Sequence, residues 1–84
     1  MNQKLYVKYE THIVSIDSYD HIELHGKYII LHAQPKNEKK IEFYLETNVD
    51  AREVYFKIWE AIKGGHRTLD IDEYLVSLRG SWIY

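Results

Sequence analysis

The chain has no cysteine, only one proline and only four glycines among its 84 residues. The lack of cysteine excludes disulfide frameworks, cysteine-ligated zinc and thiol nucleophiles. No stretch approaches the roughly 18 apolar residues of a transmembrane helix, and no apolar run follows a basic start as in a signal peptide. The formal net charge is −2, so the positive excess that drives nucleic-acid binding is missing too. We therefore expect a cytoplasmic protein with no membrane partner.

The composition is that of a folded chain, because 45% of the residues are hydrophobic and 14% are aromatic. Eight tyrosines and five histidines account for much of the polar-aromatic character. The length predicts a single domain over residues 1–84. A core of this size is only marginally stable, and oligomerisation is a common remedy.

Residues 4–46 show the period of two that is typical of β-strands. Alternation is clearest in the segments 21–25, 28–33 and 40–46. Gly26-Lys27 suits a type II′ hairpin, because its first position needs a positive φ. The resulting register places His21 opposite His32 and His25 opposite Tyr28.

The second half changes to helical spacing. A helix is predicted near residues 49–63, with Thr47 or Asn48 as its N-cap and Gly64-Gly65 at its end. Its apolar stripe is formed by Val54, Tyr55, Ile58 and Ile62. The C-terminal element, 67–84, contains a short strand and a short helix capped by Asp72. The predicted fold is therefore α+β: an antiparallel β-meander of four to five strands, with one amphipathic helix packed on one face and a short C-terminal strand/helix.

The sheet face opposite that helix collects imidazoles, carboxylates and phenols. His21-x-Glu23-x-His25, with His32 on the next strand, has ligand types that suit zinc or iron. The span from His21 to His25 is roughly 13 Å, too long for all of them to meet at one ion. We therefore predict no metal and no other cofactor.

An enzyme is not predicted. The sequence has no nucleophile elbow and no glycine-rich phosphate loop. Carboxylates such as Glu42 and Glu46 near His32 are ordinary surface features and do not by themselves indicate acid–base catalysis.

Protein interaction is the favoured function. Phe56 and Trp59 fall outside the apolar stripe of the helix, so either the segment 69–84 or a partner must cover them. We predict a small non-enzymatic interaction or regulatory domain. Its partner is expected to be a second copy of the chain, most simply in a homodimer, or else another protein. The predicted contact residues are Phe56, Trp59, Trp82 and Tyr84, with Tyr28, Tyr44 and His32 as a second surface.

The alternative is a nucleic-acid-binding accessory protein. Lys36, Lys39 and Lys40 would hold phosphates while sheet aromatics such as Tyr44 stack on bases. Glu42 and other carboxylates in the same region would repel phosphate, so this function is less favoured. No motif indicates a family, although strands followed by an amphipathic helix resemble many small bacterial and phage proteins of unassigned function.

Overall fold

A computed structural model describes residues 4–19, 21–33 and 40–80. It confirms the α+β class, with two α-helices in the second half of the chain. The elements in chain order are β1 (Tyr6–Tyr9), β2 (His12–Ser15), a short 3₁₀ helix (Ile16–Ser18), β3 (His21–His25), β4 (Tyr28–His32), β5 (Lys40–Tyr44), α1 (Asn48–Lys63), β6 (Thr68–Asp70) and α2 (Ile71–Gly80).

The strands form two three-stranded sheets instead of one meander. The mixed sheet has the order β2-β1-β6, in which β1 pairs antiparallel with β2 and parallel with β6. The antiparallel sheet has the order β3-β4-β5 and is a meander, as predicted for that part. The single continuous meander does not form, because the 3₁₀ helix ends the β1–β2 hairpin and β6 takes the free edge of β1.

The register of the β3–β4 hairpin agrees with the sequence prediction. His25 pairs with Tyr28, and His21 pairs with His32. Gly26 has a φ of +58° at the first turn position, the conformation that favours glycine there. This register directs Ile29 and Leu31 inward, where both are fully buried.

One hydrophobic core joins both sheets and both helices. Tyr9 of the mixed sheet meets Phe43 of the antiparallel sheet edge-on, with ring centroids 5.2 Å apart. Burial of each large apolar side chain contributes roughly 1.5–3 kcal/mol before entropy is subtracted. The buried residues are Leu5, Val7, Tyr9, Val14, Ile16, Ile29, Leu31, Phe43, Leu45, Ala51, Val54, Ile58, Ala61, Ile71 and Leu75.

Helix α1 begins one residue before the predicted position. The Thr47 hydroxyl accepts a hydrogen bond of 3.0 Å from the Asp50 backbone N–H, as expected of an N-cap. Past the end of the helix, Gly65 has a φ of +69°. The buried face is rotated from the predicted stripe: Tyr55 is only half-buried and Ile62 is exposed. The buried positions are Ala51, Val54, Ile58 and Ala61.

Helix α2 follows β6 directly, and its cap differs from the prediction. The Asp70 carboxylate accepts a hydrogen bond of 3.0 Å from the Glu73 backbone N–H, which is the role expected of Asp72. Asp72 instead accepts hydrogen bonds from Lys8 Nζ at 2.7 Å and from the Glu10 backbone N–H at 2.8 Å. Because β6 runs straight into α2, the cap moves two residues upstream.

Neither helix described in the structure has the length and apolar character needed to cross a membrane. Four residues singled out from the sequence lie outside the described ranges: Lys36, Lys39, Trp82 and Tyr84.

Candidate functional site

The first candidate site is a groove on one flank of α1, which we call the α1 groove. It has a volume of about 410 Å³ and separates α1 from the 3₁₀ helix and the start of β3. Most of its lining is apolar or aromatic, with one carboxylate. The lining residues are Ile16, Asp17, Tyr19, His21, Ile22, Tyr55, Ile58, Trp59 and Ile62.

Helical spacing explains how α1 contributes to this groove. Tyr55, Trp59 and Ile62 follow one another at intervals of four and three, so they share one flank of the helix. The Trp59 side chain is 53% exposed. Lys63 Nζ lies 5.7 Å from the Trp59 ring centroid, a cation–π contact that holds a positive charge beside the groove.

Phe56 is as exposed as Trp59, at 53%, but it does not line the groove. Its ring meets Tyr55 edge-on, with centroids 5.6 Å apart. The described C-terminal residues, 69–80, leave both aromatic side chains about half exposed. The structure therefore brings Trp59, but not Phe56, into a concave surface.

The second candidate site is a cluster of charged and imidazole groups on the outer face of the antiparallel sheet. Glu23 lies at its centre. His32 Nε2–H donates a 3.0 Å hydrogen bond to Glu23 Oε1, and His21 Nε2 lies 3.6 Å from Glu23 Oε2. His25 Nε2 is more distant, 4.0 Å from Glu23 Oε1. We call His21, Glu23 and His32 the His-Glu-His cluster.

The strand register positions this cluster. His21 and His32 are directly opposite each other, and their rings stack with centroids 4.4 Å apart and an interplanar angle of 18°. Glu23 is two residues after His21, so its side chain points to the same face. The hydrogen bond from His32, followed by the charges of the histidines, holds the pKa of Glu23 below its usual value. The carboxylate is thereby kept ionised among its imidazole neighbours.

The remaining sheet residues predicted as a contact surface lie further along the same face. Tyr28 and Tyr44 are paired in the register, and their rings are tilted at a centroid distance of 5.1 Å. Ile30 lies between Tyr28 and His32 on β4. Lys40 is opposite His32, and its Nζ is 3.5 Å from Glu42 Oε2, so its charge is partly countered.

The sequence interpretation missed half of the groove. Ile16, Tyr19 and Ile22 complete the wall that faces Trp59. Asp17 and Ser18 are residues typical of a turn, but nothing in the sequence indicates the 3₁₀ helix that places Ile16 in the groove beside α1.

No protein-family model, curated protein or solved structure matches this chain. The functional argument therefore depends on the geometry of the α1 groove and of the outer sheet face.

Proposed function

We propose that this protein is a small non-enzymatic interaction domain of the cytoplasm that forms a homodimer through the α1 groove. The observation that carries the proposal is the position of Trp59, half-exposed at the rim of an apolar groove of about 410 Å³. Tryptophan is one of the residue types enriched among the side chains that contribute most to the binding energy of protein interfaces.

A second copy is the favoured occupant because the groove carries complementary groups. In a twofold arrangement, the same patch of each copy faces the other, so Trp59 of each copy enters the groove of its partner. Lys63 lies beside Trp59 on one side, and Asp17 lines the groove on the other. The pairing sets Lys63 of each copy against Asp17 of the other. The net charge of −2 adds only weak repulsion between copies.

The molar mass in solution tests this proposal. We expect sedimentation equilibrium to give a mass that rises with concentration from 10.1 kDa toward twice that value. Trp59→Ala should weaken dimerisation by roughly tenfold or more, since it removes the central contact. Val76→Ala is the matched control, because Val76 is 68% exposed but lies on α2, outside the groove.

Charge reversal identifies the geometry of the dimer. Lys63→Glu alone should weaken association, and combining it with Asp17→Lys should restore it. A mass that stays at 10.1 kDa at every concentration up to the millimolar range contradicts the proposal. Dimerisation that is insensitive to Trp59→Ala contradicts the role of the groove.

Nucleic-acid binding is the second candidate function, favoured by one observation. Tyr28 and Tyr44 are both exposed and form one aromatic pair, a platform on which a base can stack. Titration with a labelled single-stranded oligonucleotide at low salt tests it, with Lys40→Glu and Tyr44→Ala expected to weaken binding. Lys57→Glu on α1 is the control of equal charge change. Binding that responds equally to Lys40→Glu and Lys57→Glu contradicts this function.

A further inference from the structure

We infer that His21, Glu23 and His32 form a binding site for one divalent transition-metal ion, with zinc as the best fit. The inference goes beyond self-association and depends on the outer face of the antiparallel sheet. Each of the three residues offers one ligand atom, and these atoms all lie within 4.8 Å of one another.

Two of the separations between candidate ligand atoms are close to those found around a zinc ion. Zinc binds imidazole nitrogen and carboxylate oxygen at about 2.0–2.2 Å. In a tetrahedral site, two such ligands are therefore about 3.3 Å apart. The distances of 3.0 Å from His32 Nε2 to Glu23 Oε1 and 3.6 Å from His21 Nε2 to Glu23 Oε2 bracket that value. Zinc binding requires the three side chains to rotate from this stacked arrangement, so that both imidazole nitrogens and one Glu23 oxygen converge on the ion.

The backbone already holds the three residues together. His21 and His32 are directly opposite each other in the ladder, and Glu23 follows His21 at the spacing that keeps side chains on one face. The metal therefore does not have to bring distant segments of the chain together, which is a large part of the cost of assembling a binding site.

The ligand set defines the class of metal. Two imidazoles and one carboxylate suit a borderline ion such as zinc better than magnesium or calcium, which prefer oxygen ligands. Three protein ligands leave a fourth tetrahedral position for water. His25 Nε2 lies 4.0 Å from Glu23 Oε1, beyond hydrogen-bond distance, so His25 is not counted among the ligands.

The distance that argued against a metal site in the sequence does not apply to the His-Glu-His cluster. The span of roughly 13 Å separates His21 from His25, at the two ends of β3. The third ligand comes instead from His32 on the neighbouring strand, whose ring stacks on that of His21.

Titration of the tag-free full chain with zinc chloride at pH 7.5 tests the inference. Calorimetry should show one zinc per chain, and ¹⁵N imidazole NMR should show shifts at His21 and His32. His21→Ala, His32→Ala and Glu23→Gln should each raise the zinc Kd by about tenfold or more, as ligand loss does at defined sites. His12→Ala and His66→Ala are the matched controls, because both histidines are exposed and lie outside the cluster.

Several results would overturn the site. These are unchanged His21 and His32 signals at millimolar zinc, equal weakening by His12→Ala and His21→Ala, or loss of binding only with His25→Ala. The wild-type NMR readout does not depend on any variant folding. Because His21 also lines the α1 groove, the titration is repeated in Trp59→Ala, which should still bind one zinc per chain and shift the His21 and His32 signals.

Discussion

The Tyr9 hydroxyl donates a 2.8 Å hydrogen bond to the backbone carbonyl of Tyr44. Tyr9 ends β1 of the mixed sheet, and Tyr44 ends β5 of the antiparallel sheet. Burial raises the pKa of the Tyr9 hydroxyl above its ordinary value, so the donor stays protonated well into the alkaline range. The hydrogen bond connects two sheets that have no strand pairing with each other among the described residues.

Tyr9→Phe should lower the free energy of unfolding by about 1 kcal/mol, because it removes this one hydrogen bond and keeps the ring packed on Phe43. Urea unfolding measures the change. Tyr6→Phe is the control on the same strand, since Tyr6 points to the opposite, exposed side. A loss of stability no greater than that of the control would show that the hydrogen bond contributes nothing net.

Asp72 makes the free energy of unfolding depend on pH in the acid range. The hydrogen bond from Lys8, aided by that from the Glu10 backbone N–H, lowers the pKa of the Asp72 carboxyl below its usual value. The stabilisation that the ionised Asp72 side chain provides is therefore fully present above about pH 4, the usual pKa of an aspartate in an unfolded chain. It is lost as the pH falls through the lower pKa of Asp72 in the folded protein.

We therefore expect the stability of the wild type to fall more steeply below pH 4 than that of Asp72→Asn. The two urea midpoints should converge at the lowest pH, where both side chains are neutral. The difference at pH 7 should be small, because Lys8 and Asp72 are partly exposed and water screens the pair. Parallel pH profiles for the two proteins would contradict this assignment.

Glu10 occupies a backbone conformation that favours glycine, with a φ of +54°. It is the first residue of the two-residue connection between Tyr9 and His12. Glu10→Gly should raise the free energy of unfolding by about 0.5 kcal/mol, since relief of the strain exceeds the added entropy of the unfolded chain. The hydrogen bond to Asp72 is made by the backbone and is retained.

Thr11→Gly is the matched control for that experiment. Thr11 does not have a positive φ, so glycine relieves no strain there. Thr11→Gly should therefore lower the free energy of unfolding by about 0.5 kcal/mol, because it only adds entropy to the unfolded chain. Thermal unfolding of both variants measures the contrast. Destabilisation by both glycines would show that the turn does not strain Glu10.

Ser15 has a buried hydroxyl oxygen with no hydrogen-bond partner among the described residues. Ser15→Ala should therefore raise the free energy of unfolding by about 1 kcal/mol, because an unpaired buried polar atom is removed. Ser18→Ala, at an exposed position on the 3₁₀ helix, should change it by less than about 0.5 kcal/mol. A destabilised Ser15→Ala protein would indicate that the hydroxyl is satisfied in solution.

The local parts of the fold were predictable because their signals are local. Gly26 at the turn and the alternation on both sides of it determine the pairing of His21 with His32. The Thr47 cap and the glycine after α1 similarly determine where that helix begins and ends. These features depend on neighbours within a few residues, so a single sequence contains them.

The non-local parts were not predictable in the same way. Nothing in residues 6–8 indicates that they pair with residues 68–70, because parallel pairing leaves no turn signature. The α1 groove depends on how the 3₁₀ helix packs against α1, and this packing exposes Ile62. The His-Glu-His cluster was predictable in part. The strand register that pairs His21 with His32 was predicted, but the close approach of both side chains to Glu23 was not.

The parallel pairing of β1 with β6 also constrains the order of folding. β1 is the central strand of the mixed sheet, yet one of its neighbours lies about 60 residues later in the chain. Such distant contacts slow folding, because a long loop must close before they form. During synthesis, the β1–β2 hairpin therefore has an open edge until β6 leaves the ribosome. We expect chains shortened before residue 68 to aggregate through this edge, even though the β3–β5 meander is complete.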